Sequence, residues 1–206
     1  MGDTYATAMQ SIKISSACKP RNGRFNGRFP IAVTPFYCPS GQKNPDNGGF
    51  AIFSGLELIL EYIEGMHFTK EDIQYFRSLN MFSEAFLEYL STFRFSGDMY
   101  AFPEGTIMYP NEPVITVVAP VIDAQLVETG LLNLFNHQSL ITTKARRIVK
   151  AARGRAVADF GGRRAQGIDA ATYGARAAVI GGAAGTATVS AAQLFDLPCV
   201  GTMAGS

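Results

Sequence analysis

From Phe50 onward apolar and polar positions recur with clear periods. In GLELILEYIEGM (55–66), Leu56, Ile59, Leu60 and Ile63 stand at helical spacing with Glu57, Glu61 and Glu64 between them, which predicts an amphipathic helix able to stop at Gly65. FTKEDIQYFRSL opens a second helix with Thr69 followed by Glu71 and Asp72, residues suited to a helix N-terminus, and SEAFLEYLSTF opens a third with Ser83 as its cap. The period then shortens. MYAFPEGTIMYPNEPVITVVA is aromatic and β-branched, broken at Pro-Glu-Gly and Pro-Asn-Glu-Pro, and predicts strand, turn, strand. A long helix follows, from about Ile122 to Ala152, with Pro120 near its entry and Gly154 beyond its end. Asp123, Gln125, Glu128, Asn133, Asn136 and His137 interrupt it too often for a membrane span, so it should pack against protein. His137 has no cysteine or carboxylate one turn away and is expected to be a hydrogen-bonded interior or interface residue rather than a catalyst.

Beyond Arg155 short units alternate. AVADF reads as a strand, DAATYGARAAVI as a small-residue helix, SAAQLF as a second short helix and PCVGTM as another strand. Such alternation implies parallel pairing through right-handed crossovers, as in a barrel or doubly wound sheet, where ligands gather at the C-terminal strand ends.

Residues 11–45 break the periodicity. They hold six basic residues (Lys13, Lys19, Arg21, Arg24, Arg28, Lys43), no acidic residue, and five of the ten prolines. That composition favours irregular chain, with VTPFYCP able to supply one edge strand. Its aromatic residues and glycines do not form a recognisable RNA-binding module.

Composition narrows the picture further. With 206 residues, 47% of them hydrophobic, the chain can bury one large core or two small ones. A net charge of +1 argues against a general nucleic-acid or membrane-surface binder. Cys18, Cys38 and Cys199 have neither the density nor the spacing of a disulfide framework or zinc site, which points to a reducing cytoplasm. MGDTYATAMQ lacks a basic stretch followed by an apolar core, so no secretory leader is expected.

Charge is nevertheless uneven. Nine basic residues lie between Lys144 and Arg176 against Asp159 and Asp169, and from Ala177 onward the only charged side chain is Asp196. The centre of this excess is RAVADFGGRRAQG (155–167), where backbone N–H groups and guanidinium forks can converge on an anion, phosphate above all. GGAAGT (181–186) offers a second glycine-rich turn with a threonine hydroxyl, although glycines also serve tight packing and the stretch lacks P-loop spacing. A solvated arginine surface is the competing reading of the residues alone.

Together DTYATAM, GGFAIFSGLE, FRFSGDMYAFPEGTIMYPNEP, AQLVETGLLNLFNHQSLITTKARR, DFGGRRAQG and PCVGTMAGS resemble the nicotinate phosphoribosyltransferase family across residues 1–10 and about 46–206. The resemblance implies an α/β class: an α+β N-terminal domain (1–120), a connecting helix (121–154), and the first units of an irregular type II phosphoribosyltransferase barrel (155–206), left incomplete. It implies condensation of nicotinate with phosphoribosyl pyrophosphate to nicotinate mononucleotide in NAD salvage, with ATP as co-substrate, Mg²⁺, and a cytoplasmic homodimer sharing its sites. By the family pattern Arg163 binds the phosphates, Phe160 stacks on the pyridine, and Tyr5 closes that ring from the neighbouring subunit. Arg164 and Lys144 are further substrate-binding candidates, and Gly185 and Thr186 would line the phosphate end. Three departures bear on activity: the chain is shorter than family members, residues 11–45 differ, and Gly205 stands where the family has a histidine phosphorylated by ATP. A non-catalytic, partner-binding remnant and a quinolinate phosphoribosyltransferase are the alternatives.

Overall fold

The helical stretches become the helices that their spacing predicts, while of the expected strand PCVGTM only a bridge at Cys199 is found among the described residues. In the computed structural model, residues 10–12, 28–33, 49–109 and 112–201 are described. Helix α1 (Leu56–Gly65) buries Leu56, Leu58, Ile59 and Ile63. Helix α2 (Lys70–Ser78) starts at a complete capping box, in which Thr69 Oγ1 accepts the Asp72 N–H at 3.1 Å and the Asp72 carboxylate accepts the Thr69 N–H at 2.8 Å. Helix α3 (Glu84–Ser91) is capped by Ser83, whose hydroxyl accepts the Phe86 N–H at 3.3 Å.

A four-stranded antiparallel sheet lies beside these helices, in the order β1 (Gln10–Ile12), β4 (Asp98–Ala101), β6 (Ile115–Pro120), β2 (Arg28–Val33). Its central strands alternate as a half-buried sheet should, with Met99, Ala101, Ile115, Val117 and Ala119 turned inward. The expected strand, turn, strand is divided: β4 pairs with β6, while β5 (Ile107–Met108), between them in sequence, leaves to pair with β3 (Ala51–Ile52). The basic tract also contributes more order than its composition suggests. Within it RFPIAV forms an edge strand, with Pro30 opposite Val118, an edge being where a sheet tolerates proline; of the expected strand VTPFYCP, all but Val33 lies outside the described residues.

Helix α4 (Val121–Ala151) serves two layers. Along its first half Ala124, Val127, Leu131 and Phe135 enter the core shared by α1 and the sheet, and the Phe135 ring lies 5.8 Å from that of Phe53. Along its second half the buried side chains, Gln138, Ser139, Thr142 and Thr143, are polar. Thr143 Oγ1 accepts the Ile52 N–H at 2.9 Å, Ser139 Oγ accepts the Ser54 N–H at 3.1 Å, and Thr142 Oγ1 donates to the Ala177 carbonyl at 2.9 Å. These hydroxyls satisfy backbone groups that would otherwise be costly to bury. His137, expected to be a hydrogen-bonded interior or interface residue, is half-buried beside Gly174 with no hydrogen-bond partner for its ring among the described residues, and burial lowers its pKa. Among the described residues no helix is long and apolar enough to cross a membrane.

The last unit is parallel. Strand β7 (Ala158–Asp159) pairs with β8 (Gly185–Thr186), and Thr186 bridges in parallel to Cys199. Helix α5 (Ile168–Ile180) and helix α6 (Val189–Phe195) follow β7 and β8 respectively. The small residues of α5 permit its close approach to α4: a Cβ at Gly174 would lie 3.1 Å from Ile141 Cδ1, and one at Gly181 only 2.7 Å from the Thr142 carbonyl.

Candidate active site at the ends of the parallel strands

Two loops leave the same end of the parallel sheet. After β7 the chain runs through exposed Phe160 into a 3₁₀ turn, Gly162–Arg164, and enters α5 at Gly167 with φ +113°, a backbone conformation natural to glycine. After β8 it passes through Ala187 and Thr188 into α6. Between the loops opens a cleft of about 310 Å³ lined by Gly162, Ala165, Gly167, Ile168, Thr172 and Thr188, among others. This is where α/β folds place ligands.

Asp159 joins the two loops. Its Oδ1 accepts the Gly161 N–H at 2.9 Å, its Oδ2 accepts the Thr186 hydroxyl at 2.8 Å, and its backbone carbonyl accepts the Ala187 N–H at 2.9 Å. Thr186 Oγ1 in turn accepts the Thr188 N–H at 3.0 Å.

The anticipated concentration of basic charge resolves into groups with different tasks. Arg163 and Arg164 are exposed on the strand-end turn, and their guanidinium groups have no ion-pair or hydrogen-bond partner among the described residues. Arg176 instead turns inward, paired with Glu104 and Glu57 and 5.6 Å over the Phe195 ring. Arg147 donates to the Phe50 carbonyl at 3.2 Å. Lys144 is exposed on α4 and does not line the cleft.

Gly185 and Thr186 differ from the sequence reading. They form a buried strand rather than a phosphate-cradling turn, and the Thr186 hydroxyl is committed to Asp159. A Cβ at Gly185 would sit 2.5 Å from the Pro198 carbonyl, so this glycine lets the Cys199 segment approach. The residue of that loop that reaches the cleft is Thr188, which sequence reasoning missed; its one signal was a hydroxyl two residues beyond a strand end. Asp159 was counted only as a neighbouring charge. Tyr5 and Gly205 lie outside the described residues, as do Cys18 and Cys38.

A parallel strand–helix unit with its cleft at the strand ends, joined to an antiparallel sheet and helices, defines an α/β protein. The family model for the nicotinate phosphoribosyltransferase N-terminal domain matches residues 36–136. Nicotinate phosphoribosyltransferase pncB2 of Mycobacterium tuberculosis is 47% identical over 165 residues, 80% of this chain and 36% of its own length. The Bacillus subtilis nicotinate phosphoribosyltransferase is 44% identical over 163 residues, 79% of this chain and 33% of its own. The crystal structure of human nicotinic acid phosphoribosyltransferase superposes with a TM-score of 0.77 at 29% identity, covering 88% of this chain and 36% of that one. The chain belongs to the nicotinate phosphoribosyltransferase family, and it spans about a third of the length of the curated relatives it matches.

Proposed function

We propose that the strand-end cleft binds the phosphates of phosphoribosyl pyrophosphate in a nicotinate phosphoribosyltransferase reaction, giving nicotinate mononucleotide and pyrophosphate for NAD salvage. The observation that carries this reading is the juxtaposition, on one loop beside the cleft, of exposed Phe160 with two unpaired guanidinium groups, Arg163 and Arg164. Transfer breaks the bond from ribose C1 to the pyrophosphate oxygen and joins C1 to the pyridine nitrogen, through a ribose that carries positive charge. The protein's tasks are therefore to hold the pyridine in line and to neutralise phosphate. Phe160 offers a flat face for the pyridine, completed by Tyr5 of a second subunit in a cytoplasmic homodimer; Arg163, and secondarily Arg164, take the phosphates, while Lys144, set away from the cleft, makes no direct contact with them.

Mg²⁺ would neutralise the departing pyrophosphate. Among the described residues no three His, Cys, Asp or Glu side chains gather to hold a metal by themselves, so the ion would be carried mainly by the phosphate oxygens and water, and no step is routed through it. ATP coupling through a phosphorylated side chain would need a nucleophile, which Gly205 lacks. Exposed Ile168 and Val189 beside the cleft favour the second reading, a non-catalytic chain that binds a partner there. Titration calorimetry with phosphoribosyl pyrophosphate, beside an assay of nicotinate mononucleotide formation, separates the two. Binding with turnover establishes the enzyme, binding without turnover the remnant, and no binding at millimolar ligand overturns the assignment of the cleft.

A further inference from the structure

The two loops that wall the cleft come from strands 27 residues apart, yet one carboxylate sets both. Asp159 has two acceptor oxygens and divides them: one holds the Gly161 N–H at the start of the arginine turn, the other holds the hydroxyl of Thr186. Thr186 is fully buried, so its hydroxyl has no water to fall back on. With its proton given to Asp159, the same oxygen is free to accept the Thr188 N–H. The result is a continuous relay from Gly161 N–H through carboxylate and hydroxyl to Thr188 N–H. The loops also meet closely at its far side, where a Cβ on Gly162 would stand 3.1 Å from Thr188 Oγ1.

We propose that Asp159 and Thr186 are positioning residues: they touch no ligand, but fix the separation of the two loops so that the arginine turn and Thr188 face one phosphate group together. The inference rests on the phosphate reading of the cleft. Flexible loops would have to be ordered at the moment of binding, and preorganised ones need not be, so the relay should act on affinity. It also explains why a threonine with no access to the cleft stands at a strand end: valine would fill the space equally well but could neither donate nor accept.

The test compares Thr186→Val with Thr186→Ser in the full chain, with Asp159→Asn as a second disruption in case the valine variant fails to fold. Amide hydrogen exchange is followed by NMR at Gly161 and Thr188, the two relay ends, and at Ala184 and Val200, whose N–H groups bond to the main-chain carbonyls of Val157 and Thr186, which a side-chain substitution leaves in place. In Thr186→Val the relay-end amides should exchange at least about tenfold faster, as expected for losing one net hydrogen bond, while Ala184 and Val200 stay unchanged and serine restores protection. Phosphoribosyl pyrophosphate binding should weaken about tenfold in the valine variant and recover in the serine variant. Unchanged exchange at Gly161 and Thr188 overturns the proposal, as does equal acceleration at all four amides, which would make the pair a general sheet stabiliser. Faster relay-end exchange with unaltered affinity also overturns it. If wild-type protein binds no phosphoribosyl pyrophosphate while the relay-end amides still respond, the cleft assignment fails and the coupling of the loops stands.

Discussion

Arg176 and Glu104, 72 residues apart in sequence, meet in a two-pronged ion pair with Nη1 2.9 Å from Oε1 and Nη2 2.7 Å from Oε2. Glu104 belongs to the Pro-Glu-Gly-Thr turn and also accepts the N–H groups of Gly55 and Leu56, the open amides at the start of α1. One carboxylate thus ties the parallel unit, through α5, to the first helix of the N-terminal layer. Glu57 adds a second carboxylate to the same guanidinium.

Removing Arg176 should be far more damaging than removing Arg77, an exposed arginine that also makes a two-pronged contact. The Arg176 side chain is 11% exposed and that of Glu104 20%, so Arg176→Ala leaves an uncompensated, largely buried carboxylate, at a cost of about 3–5 kcal/mol. The Arg77–Glu84 pair bridges α2 and α3 in solvent at 2.9 Å, and Arg77→Ala should scarcely move the urea midpoint. Urea unfolding of both variants, followed by circular dichroism, checks the contrast.

The same pair makes stability acid-sensitive. Burial pushes the Glu104 carboxyl up, but the hydrogen bonds and charge of Arg176 and the two amides outweigh it and hold the pKa below the ordinary glutamate value of 4.5. A depressed folded-state pKa contributes stability that is complete above the unfolded value and is lost as pH falls through the folded one. Stability should therefore begin to fall only below about pH 4.5 on this account. In Glu104→Gln, less stable at neutral pH, that part of the acid dependence should be missing from urea midpoints measured between neutral pH and pH 3.

Tyr89 provides the opposite sign at the alkaline end. Its hydroxyl donates to Asp123, and burial first, then that bond and the neighbouring negative charge, push its pKa up to about 12. A raised folded-state pKa contributes stability present below the unfolded value of 10 and lost as pH rises through 12. Absorbance at the tyrosinate band should show Tyr89 ionising late, along with Tyr62, whose hydroxyl burial also pushes up. Asp123→Asn should bring Tyr89 only part of the way back, since burial is the larger cause.

Local rules made some of this molecule legible in advance and left other parts dark. Thr69 and Ser83 were readable as caps because a cap is a bond between residues three apart, and the 3.6 period of α1 named Ile59 and Ile63 as core. The loop carrying Phe160 and Arg163 was visible as a strand-to-helix junction with excess charge. What escaped depends on partners distant in sequence. Nothing near Arg176 shows that it will spend its charge on Glu104 and Glu57, and nothing in GGAAGT shows that Gly185 must admit the Pro198 carbonyl, which makes a strand of an apparent turn. Strand β5 likewise chose β3, a partner more than fifty residues upstream, over its sequence neighbours.

Arg163 and Arg153 separate the cleft from the surrounding basic surface. Both are exposed arginines of the same segment, so a diffuse electrostatic attraction would count them nearly equally. Their backbone settings differ. Arg163 lies on the strand-end turn beside Gly162, which lines the cleft, whereas Arg153 follows the end of α4 in a left-handed conformation, φ 52°, within the turn that leads to Gly154. A guanidinium that forms a direct bond to a phosphate oxygen loses that bond on truncation, and Arg163→Ala should weaken phosphoribosyl pyrophosphate binding by roughly 1.5–3 kcal/mol, about ten- to a hundredfold. Arg153→Ala removes only a distant charge, and its effect should be several-fold smaller and vanish at high salt, where exposed charges are screened. Calorimetric titrations at low and high ionic strength test both points. Equal losses in the two variants, collapsing together as salt is added, would mean that the ligand is held by a basic surface and not by the loop.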